Sequence, residues 1–436
     1  MKRFISMLLS FTLIFGTASL LIGCENVNVK ENENSTSEST EKNHSEIKFS
    51  GKSESLSSGI KPLDVTVRDI TENDKIGYYE FTATLLSETH EDGGNTLISP
   101  LSVYFALAML ANGAEGNTLA ELEATLGMSN DELNLFVKSY MASLPDSDSC
   151  KMKIANSVWF RDTEWFNPKE DFLTANASYF GADIYKAPFD KTTVGDINSW
   201  VNGKTDGMID SIIADISDVT VMYLINALTF DAEWEQKYDE YSVYDSTFFM
   251  ADGTEKTVEF MSADESVYLE DENTTGFLKY YKNRNYAFVT LLPDEGISID
   301  TYVKELDGDK LSELLKNKNS CSVSARMPKF CVDFDCRLIS SLRAMGINDA
   351  FIPASANLSR LGESALGNLF VSDVIHKIHI EVNEAGTKAG AVTAIAVDTE
   401  SESPYYVNLN RPFVYMIIDC ENNMPLFIGT LNDPIQ

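Results

Sequence analysis

The side chains best suited to acid–base or metal chemistry are four histidines. His44 lies in a polar N-terminal segment, His90 in an acidic turn, and His376 and His379 in one strand-like segment. Residues three apart on a strand point to opposite faces, so these last two imidazoles are not expected to share a metal ion. The histidines therefore predict no metal site and no cofactor.

Motifs for covalent or phosphate chemistry are also missing. The sequence holds no G-x-S-x-G, H-E-x-x-H, glycine-rich phosphate loop or C-x-x-C motif. Its 67 acidic residues offer too many carboxylate pairs to single out an acid–base couple. We therefore expect the chain not to be an enzyme, and binding, inhibition or scaffolding is favoured.

One cysteine carries a possible modification signal. Lys2 and Arg3 precede an apolar run that ends in Leu21-Ile22-Gly23-Cys24. This pattern resembles a bacterial lipoprotein signal, which implies removal of residues 1–23, a diacylglycerol on Cys24, and an exported protein anchored by that lipid at the cell surface or envelope. A transmembrane anchor or a plain secretory signal is the alternative, although the run is short for a membrane span.

The segment after Cys24 and the remaining cysteines add little chemistry. Residues 24–60 are rich in Ser, Asn, Glu and Lys, which predicts a flexible, solvated tether. Five cysteines remain, an odd number without close pairing, so buried single thiols are expected instead of a disulfide framework or a zinc site. They are Cys150, Cys321, Cys331, Cys336 and Cys420.

Helical patterns dominate the first half of the remaining chain. Ser99 and Pro100 form a typical helix start, and residues 101–111 are apolar nearly all round, which predicts a buried helix. Thr118 and Glu121 have capping-box spacing, and Gly127 is a suitable helix end.

Strand patterns follow in the second half of the chain. Residues 286–292 form a continuous apolar run, residues 322–330 alternate, and residues 413–418 and 426–431 flank a polar turn. Together with the helices, these strands predict an α+β fold.

Composition limits the partners. The 436 residues carry a formal net charge of -33, and 44% of them are hydrophobic. That apolar content excludes a disordered acidic protein, while the charge argues against nucleic acid and heparin-like polymers as partners. Length alone allows two or three domains, or a single large one.

A family resemblance enters at residues 376–393, which read HKIHIEVNEAGTKAGAVT. This segment resembles the reactive-loop hinge of the serpins. Other stretches resemble the same family, in the family's order: NTLISPLS from Asn95, IANSVW from Ile154, INSWVNGKT from Ile197, LINALTFDAEW from Leu224, LLPDEG from Leu291, MPKF from Met327, NRPF from Asn410 and PLFIG from Pro425. The resemblance implies one monomeric domain over residues 61–436, with three β-sheets, eight or nine helices and a reactive loop near residues 384–408.

The hinge composition suits insertion between two strands. Its side chains are almost all small, and a segment that enters a closed gap in a sheet cannot bring bulky groups with it. The hinge residues are Glu384, Gly386, Thr387, Ala389, Gly390, Ala391 and Thr393. The resemblance therefore implies a suicide-substrate inhibitor of serine, or also cysteine, endopeptidases. A non-inhibitory serpin with a binding or adhesion role, or a lipid-anchored solute-binding protein, is the alternative.

Two ways of counting place the bond cut by the target protease at slightly different positions. Counting from Glu384 places it between Glu400 and Ser401, whereas counting back from Pro412 puts Ser401 before it. The window is therefore Val397, Asp398, Thr399, Glu400, Ser401 and Glu402. An acidic residue there suits an acidic-specific protease, whereas Val397 or Thr399 suits an elastase-like or subtilisin-like one. Trypsin-like targets are disfavoured because no Arg or Lys lies between Ala389 and Asn410.

The same resemblance assigns residues that control the opening of the central sheet. Ser99, Ser102, Asn226 and His376 resemble the family's shutter cluster, a hydrogen-bonded group beneath the sheet. Trp234 resembles the tryptophan of the breach, where loop insertion begins. A satisfied buried histidine and ordinary aromatic packing are the simpler interpretations of His376 and Trp234.

Overall fold

The structure is a computed structural model that describes residues 9–17, 47, 49–145, 150–387, 403 and 405–435. Within these residues it contains nine α-helices: α1 Glu72–Thr89, α2 Pro100–Ala111, α3 Gly116–Leu126, α4 Asn130–Ser143, α5 Glu170–Phe180, α6 Lys191–Lys204, α7 Ile299–Glu305, α8 Gly308–Lys316 and α9 Ile339–Ala344. Short 3-10 helices span Ser57–Gly59, Glu240–Ser242, Lys282–Arg284 and Asp349–Phe351. No helix among the described residues is both long and apolar enough to cross a bilayer.

Twenty strands accompany these helices in the described parts of the chain. They are β1 Leu9–Thr17, β2 Glu54–Ser55, β3 Thr96–Ile98, β4 Cys150–Arg161, β5 Phe166–Pro168, β6 Asp183–Ala187, β7 Thr220–Glu233, β8 Val243–Phe249, β9 Glu255–Glu265, β10 Val267–Glu270, β11 Thr274–Tyr280, β12 Tyr286–Pro293, β13 Val323–Pro328, β14 Phe330–Arg337, β15 Gly362–Ser364, β16 Leu369–Val382, β17 Gly386–Thr387, β18 Tyr405–Asn408, β19 Phe413–Asp419 and β20 Met424–Leu431.

Three large sheets organise the strands, as expected. The central sheet has eight strands in the order β1-β16-β17-β7-β4-β6-β2, with β14 paired to β16. A six-stranded sheet runs β10-β11-β12-β19-β20-β3, and a four-stranded sheet runs β18-β13-β9-β8. A small pair, β15-β5, is a fourth sheet that the sequence patterns did not predict.

Helix α2 lies at the centre of the core. The side chain of Ser99 accepts the N–H of Ser102 and caps the helix, Pro100 occupies its first turn, and all twelve of its residues are buried. This confirms the buried helix expected from the apolar run, which contacts β7 of the central sheet and β20 of the six-stranded sheet.

The capping box expected at Thr118 and Glu121 is wrong. Helix α3 begins at Gly116, so Thr118 lies inside the first turn. Its buried hydroxyl accepts the N–H of Asn357, and Glu121 accepts the backbone N–H groups of Asn348 and Asp349. Both side chains cap a neighbouring loop and not their own helix.

The alternating segment 322–330 is two strands and not one. Pro328 ends β13 in the four-stranded sheet, and β14 begins at Phe330 in the central sheet. Lys329 lies between them, at the point where the chain crosses from one sheet to the other. Because proline lacks an N–H for a ladder, a strand end at Pro328 is physically reasonable.

The segment expected to be a solvated tether is partly docked. Ser50 donates its N–H and its hydroxyl to the buried carboxylate of Asp196 in α6, at 2.6 and 2.7 Å, and the Ser53 hydroxyl donates to the same carboxylate at 2.6 Å. Phe49 makes edge contacts with the rings of Trp159 and Tyr185. Residues 49–55 therefore belong to the folded domain, and the boundary expected at residue 61 falls too late.

The N-terminal strand lies between two long strands of the central sheet. Residues Leu9–Thr17 pair in parallel with β16 on one side and with β7 on the other. This segment belongs to the apolar run that resembles a signal sequence, so the sheet accommodates an additional strand between β7 and β16.

Candidate functional site

The start of the hinge forms a tight turn at the end of β16. The side-chain oxygen of Asn383 accepts the N–H groups of Ala385 and Gly386, at 3.0 and 3.3 Å, and the Asn383 N–H donates to the Gly386 carbonyl at 3.1 Å. The chain then returns as β17, where Thr387 lies opposite Val382 of β16. The hinge thus enters the central sheet within four residues of the strand that leads to it.

The other edge of β17 pairs with β7. Gly386 lies opposite Glu233 and Thr387 opposite Ala232, both in antiparallel register. A Cβ atom at Gly386 would lie 2.1 Å from the carbonyl oxygen of Ala232 and 2.9 Å from the Cα of Glu233. Only glycine fits this approach between two backbones, which explains the residue type at this position.

Thr387 is held in a buried aromatic site. It is 3% exposed, and its hydroxyl forms a 2.5 Å hydrogen bond with the hydroxyl of Tyr281. Burial raises the pKa of Tyr281 well above its usual range, so this phenol stays neutral. Thr387 therefore faces the interior, and the next residue, Lys388, lies outside the described residues.

Trp234 lies directly beside this turn. Its ring stacks on Tyr281 with centroids 4.5 Å apart, and its indole N–H donates to the Asn383 carbonyl at 2.8 Å. Its backbone N–H donates to the Ala385 carbonyl at 3.0 Å. The structure therefore places Trp234 in contact with the hinge, and this location goes beyond ordinary core packing.

Glu384 is tied to the crossover between sheets. The Lys329 ammonium lies 2.8 Å from its carboxylate and 3.5 Å from that of Glu259. Burial opposes ionisation of Glu384, but the hydrogen bond from Lys329, helped by a backbone N–H, outweighs it and holds the pKa of this carboxyl below its usual value. Glu384 is therefore ionised and paired at neutral pH.

A second, deeper ion pair supports the aromatic group. Lys279 and Glu265 are joined at 2.6 Å, with side chains only 3% and 11% exposed. The Lys279 ammonium also lies over the rings of Tyr238 and Trp234, at 4.2 and 5.6 Å from their centroids. Burial raises the pKa of Glu265, although Lys279 opposes the shift.

The four residues of the expected shutter cluster lie together beneath the sheet. The N–H of Ser99 donates to Nε2 of His376 at 3.1 Å, and the Ser102 hydroxyl donates to the side-chain oxygen of Asn226 at 2.5 Å. The Asn226 amide in turn donates to Asn156, at 2.7 Å. All five residues are buried, and Asn156 is a member that the sequence comparison did not identify.

His376 is a neutral base in this cluster. Complete burial lowers its pKa to about 3. Because Nε2 accepts a hydrogen bond, the neutral ring carries its hydrogen on Nδ1. The imidazole therefore acts as a hydrogen-bond acceptor between α2 and β16. This role also agrees with the simpler interpretation of His376 as a buried histidine with a satisfied hydrogen bond.

Several expected positions fall elsewhere. Ala389, Gly390, Ala391 and Thr393 of the hinge, the window of residues 397–402, and Cys24 all lie outside the described residues. The chain is described again at Ser403, whose hydroxyl contacts that of Ser322, and β18 then pairs with β13 in the four-stranded sheet. The two described ends of the loop are therefore attached to two different sheets.

Sequence patterns missed the residues that hold the hinge from outside. Tyr281, Lys279, Glu265 and Lys329 come from three different strands or strand ends, and of these four only Lys279 and Tyr281 are close in sequence. Two groups of potential metal ligands also occur among the described residues, and neither includes a hinge residue.

This geometry defines a class of protein, in which a hinge is built into the central sheet of a mixed α/β domain. A family model described as Serpin (serine protease inhibitor) matches residues 77–434. The chain belongs to the serpin family, which takes its name from serine protease inhibitors.

Similar proteins cover most of the chain. Serpin B10 of Bos taurus is 30% identical over 384 residues, which cover 80% of this chain and 96% of that protein. The leukocyte elastase inhibitor of Homo sapiens is 30% identical over 366 residues, covering 80% and 95%. Among solved structures, the thermophilic serpin tengpin in its native state is 44% identical, with a TM-score of 0.83 and coverage of 88% of this chain and 100% of that chain.

Proposed function

We propose that this chain is an inhibitory serpin that traps endopeptidases as covalent acyl-enzymes. The protease attacks the exposed loop, and the cut loop then inserts into the central sheet before the ester is hydrolysed. Insertion of about 15 residues at roughly 3.3 Å each would carry the protease on the order of 50 Å. The family supplies this mechanism, and the hinge geometry supports its use here.

The observation that carries the proposal is the pairing of β17 between β7 and β16. Two hinge residues already form the first ladder pairs of an inserted strand. Gly386 is required by the close approach to Ala232, and the Thr387 side chain is small enough for a buried site. A hinge that stayed outside the sheet would need neither property.

Strand β1 adds a requirement to this mechanism. Residues 9–17 occupy the gap between β7 and β16 below β17, where the cut loop would lie. We propose that cleavage before Cys24 removes this strand, leaves Cys24 acylated at the cell envelope and makes the gap available. A chain that retains residues 1–23 should be cleaved as a substrate, whereas a chain that begins at Cys24 should form complexes.

The target class follows from the loop sequence. Val397 and Thr399 suit elastase-like or subtilisin-like proteases, and Glu400 suits an acidic-specific one. One similar protein is named leukocyte elastase inhibitor, which is compatible with the elastase-like choice. The net charge of -33 disfavours binding of a polyanion, so the proposed inhibition would need no polyanionic activator.

The test combines trapping with identification of the cut. The chain that begins at Cys24 is mixed with an elastase, a subtilisin or a glutamate-specific protease, and complexes that resist SDS are quantified. Mass spectrometry of the released C-terminal peptide identifies the scissile bond. Thr387→Arg, which would bury a charge beside Tyr281, should convert trapping into plain cleavage, whereas Thr387→Ser should keep trapping. Cleavage by all three proteases without any complex would contradict the proposal and favour a non-inhibitory serpin.

The lipid anchor is tested separately. In a bacterial host that processes lipoproteins, the wild-type chain should incorporate a labelled fatty acid and partition into membranes. Cys24→Ala should abolish both the label and the membrane association. Equal labelling of the two chains would contradict acylation at Cys24 without affecting the inhibitor proposal.

A further inference from the structure

The outward face of β14 and β16 carries a thiol, a carboxylate and an imidazole in one group. Asp333 of β14 lies directly opposite His379 of β16, and Cys331 lies two residues along β14, on the same face as Asp333. The ligand atoms of these three side chains all lie within 4.8 Å of one another. We propose that Cys331, Asp333 and His379 form a binding site for a zinc-like divalent transition-metal ion.

The spacing suits a small ion. Zinc binds sulfur at about 2.3 Å and nitrogen or oxygen at about 2.0 to 2.2 Å, so tetrahedral ligands are separated by about 3.3 to 3.8 Å. The three ligand atoms already lie within 4.8 Å of one another, so adjustments on the order of 1 Å would bring them to these separations. Antiparallel pairing fixes the two strands, so the site is preformed by the sheet.

The donor set determines the class of ion. A thiolate and an imidazole favour zinc, cobalt or copper, whereas magnesium and calcium prefer sites made of oxygen ligands. Asp333 faces solvent whereas the His379 side chain is only 8% exposed, so three protein ligands would leave a fourth position for water on the side of Asp333. Asp333 has a side chain that is 71% exposed, so the ion has a direct path to the site.

The existing contact within the group is consistent with ion binding. Nδ1 of His379 lies 2.8 Å from a carboxylate oxygen of Asp333. The hydrogen between these two atoms would be replaced by the metal, and each atom would become a ligand. Glu381, opposite Cys331 in the ladder, adds a further negative charge beside the site.

The second group, His90, Asp92 and Asp300, is a weaker candidate. Nε2 of His90 contacts Asp300 at 2.7 Å, as His379 contacts Asp333, but this group contains no thiol, and the other ring nitrogen contacts the hydroxyls of Thr96 and Thr430. Asp92 lies 3.8 Å from the ammonium of Lys304. The group of His90, Asp92 and Asp300 therefore serves as an internal comparison for the proposed site.

An ion at the proposed site would join β14 to β16. Strand β14 lies on the side of β16 away from the gap that would receive the loop. The ion would therefore fix the position of β16 without filling that gap. Ions that bind only the folded state lower the unfolding equilibrium constant, by about 100-fold at a concentration 100 times the dissociation constant. Zinc should therefore raise the denaturant midpoint of the protein.

Cobalt(II) and zinc(II) are the probes that test this site. Titration of the chain that begins at Cys24 should show one equivalent of cobalt with a sulfur-to-metal charge-transfer band, which zinc abolishes by competition. Cys331→Ser should remove the band, and Asp333→Asn should weaken binding by at least about 10-fold. Asp335→Asn, the next outward acid on β14, and Cys321→Ser, a thiol in a different part of the fold, should leave binding unchanged.

Three results would overturn the proposal. They are the absence of any charge-transfer band with cobalt, a band that survives Cys331→Ser, and binding that Asp300→Asn weakens but Asp333→Asn does not. If Cys331→Ser fails to fold, the comparison of Asp333→Asn with Asp335→Asn decides, because both side chains are well exposed. At the same zinc concentration, the midpoint of Asp335→Asn should rise more than that of Asp333→Asn.

Discussion

Replacement of Gly386 by alanine tests how firmly the hinge is held in the sheet. The new Cβ would lie 2.1 Å from the Ala232 carbonyl oxygen, more than 1 Å closer than an ordinary contact. If β17 stays in place, overpacking costs about 1 to 3 kcal/mol. If it leaves, it loses the bonds from Asn383 N–H to the Gly386 carbonyl and from Trp234 N–H to the Ala385 carbonyl, at about 0.5 to 1.5 kcal/mol each. Both routes predict destabilisation of about 1 to 3 kcal/mol.

Urea unfolding followed by circular dichroism measures this cost, and the stoichiometry of protease trapping measures its effect on insertion. Gly386→Ala should unfold at lower urea and should need more inhibitor per protease, because the loop enters the sheet at this residue. Gly195→Ala is the control, since its Cβ would meet nothing within 4 Å. An unchanged midpoint together with unchanged trapping in Gly386→Ala would refute the inserted hinge.

Three further predictions concern buried groups. Asp196→Asn should lose about 1 to 3 kcal/mol of stability and expose residues 49–55 to limited proteolysis, because an amide offers one acceptor oxygen where the carboxylate offers two; equal protection in both chains would argue against docking. Lys279→Met should cost about 3 to 5 kcal/mol, because it leaves Glu265 buried and unpaired, and the double variant with Glu265→Leu should recover most of the urea midpoint. The pKa of His376, about 3 in the folded protein, lies below the unfolded value of about 6.5, so the unfolded chain binds a proton first as the pH falls. Lowering the pH from 6.5 to 5 should therefore reduce the free energy of unfolding by about 2 kcal/mol. His376→Gln should flatten this part of the plot of urea midpoint against pH.

The fold was predictable because its motifs lie on continuous stretches of chain. The buried helix after Ser99, the apolar strand that became β12, and the C-terminal pair β19 and β20 all have local signals that the structure confirms. The expected signals failed where tertiary contacts replaced local ones. Thr118 and Glu121 cap other segments, and polar residues 49–55 dock because Asp196, far along the chain, supplies their hydrogen-bond acceptor.

The hinge residues could be predicted from the sequence, whereas the residues that contact them from other strands could not. Gly386 and Thr387 were recognisable because residues 376–393 resemble the serpin hinge, and Trp234 because it ends the serpin-like motif LINALTFDAEW. The partners Tyr281, Lys279 and Lys329 were not recognisable, because their role depends on strands that meet only after folding. The metal-ligand group was missed for the same reason: sequence spacing compared His379 with His376 on one strand, whereas its neighbours Cys331 and Asp333 lie on β14.

The gap between β7 and β16 would link the proposed processing to the proposed inhibition. Strand β1 fills it with nine residues in parallel pairing, which is slightly less stable per residue than antiparallel pairing. A cut reactive loop would add about 15 residues in antiparallel pairing and, at about 0.5 to 1.5 kcal/mol per hydrogen bond, would release on the order of 10 kcal/mol. In the proposed mechanism the loop would therefore be the more stable occupant, but it would have to displace β1 before the acyl-enzyme is hydrolysed. Under the proposed processing, removal of residues 1–23 would eliminate that delay and make the central sheet competent to trap a protease.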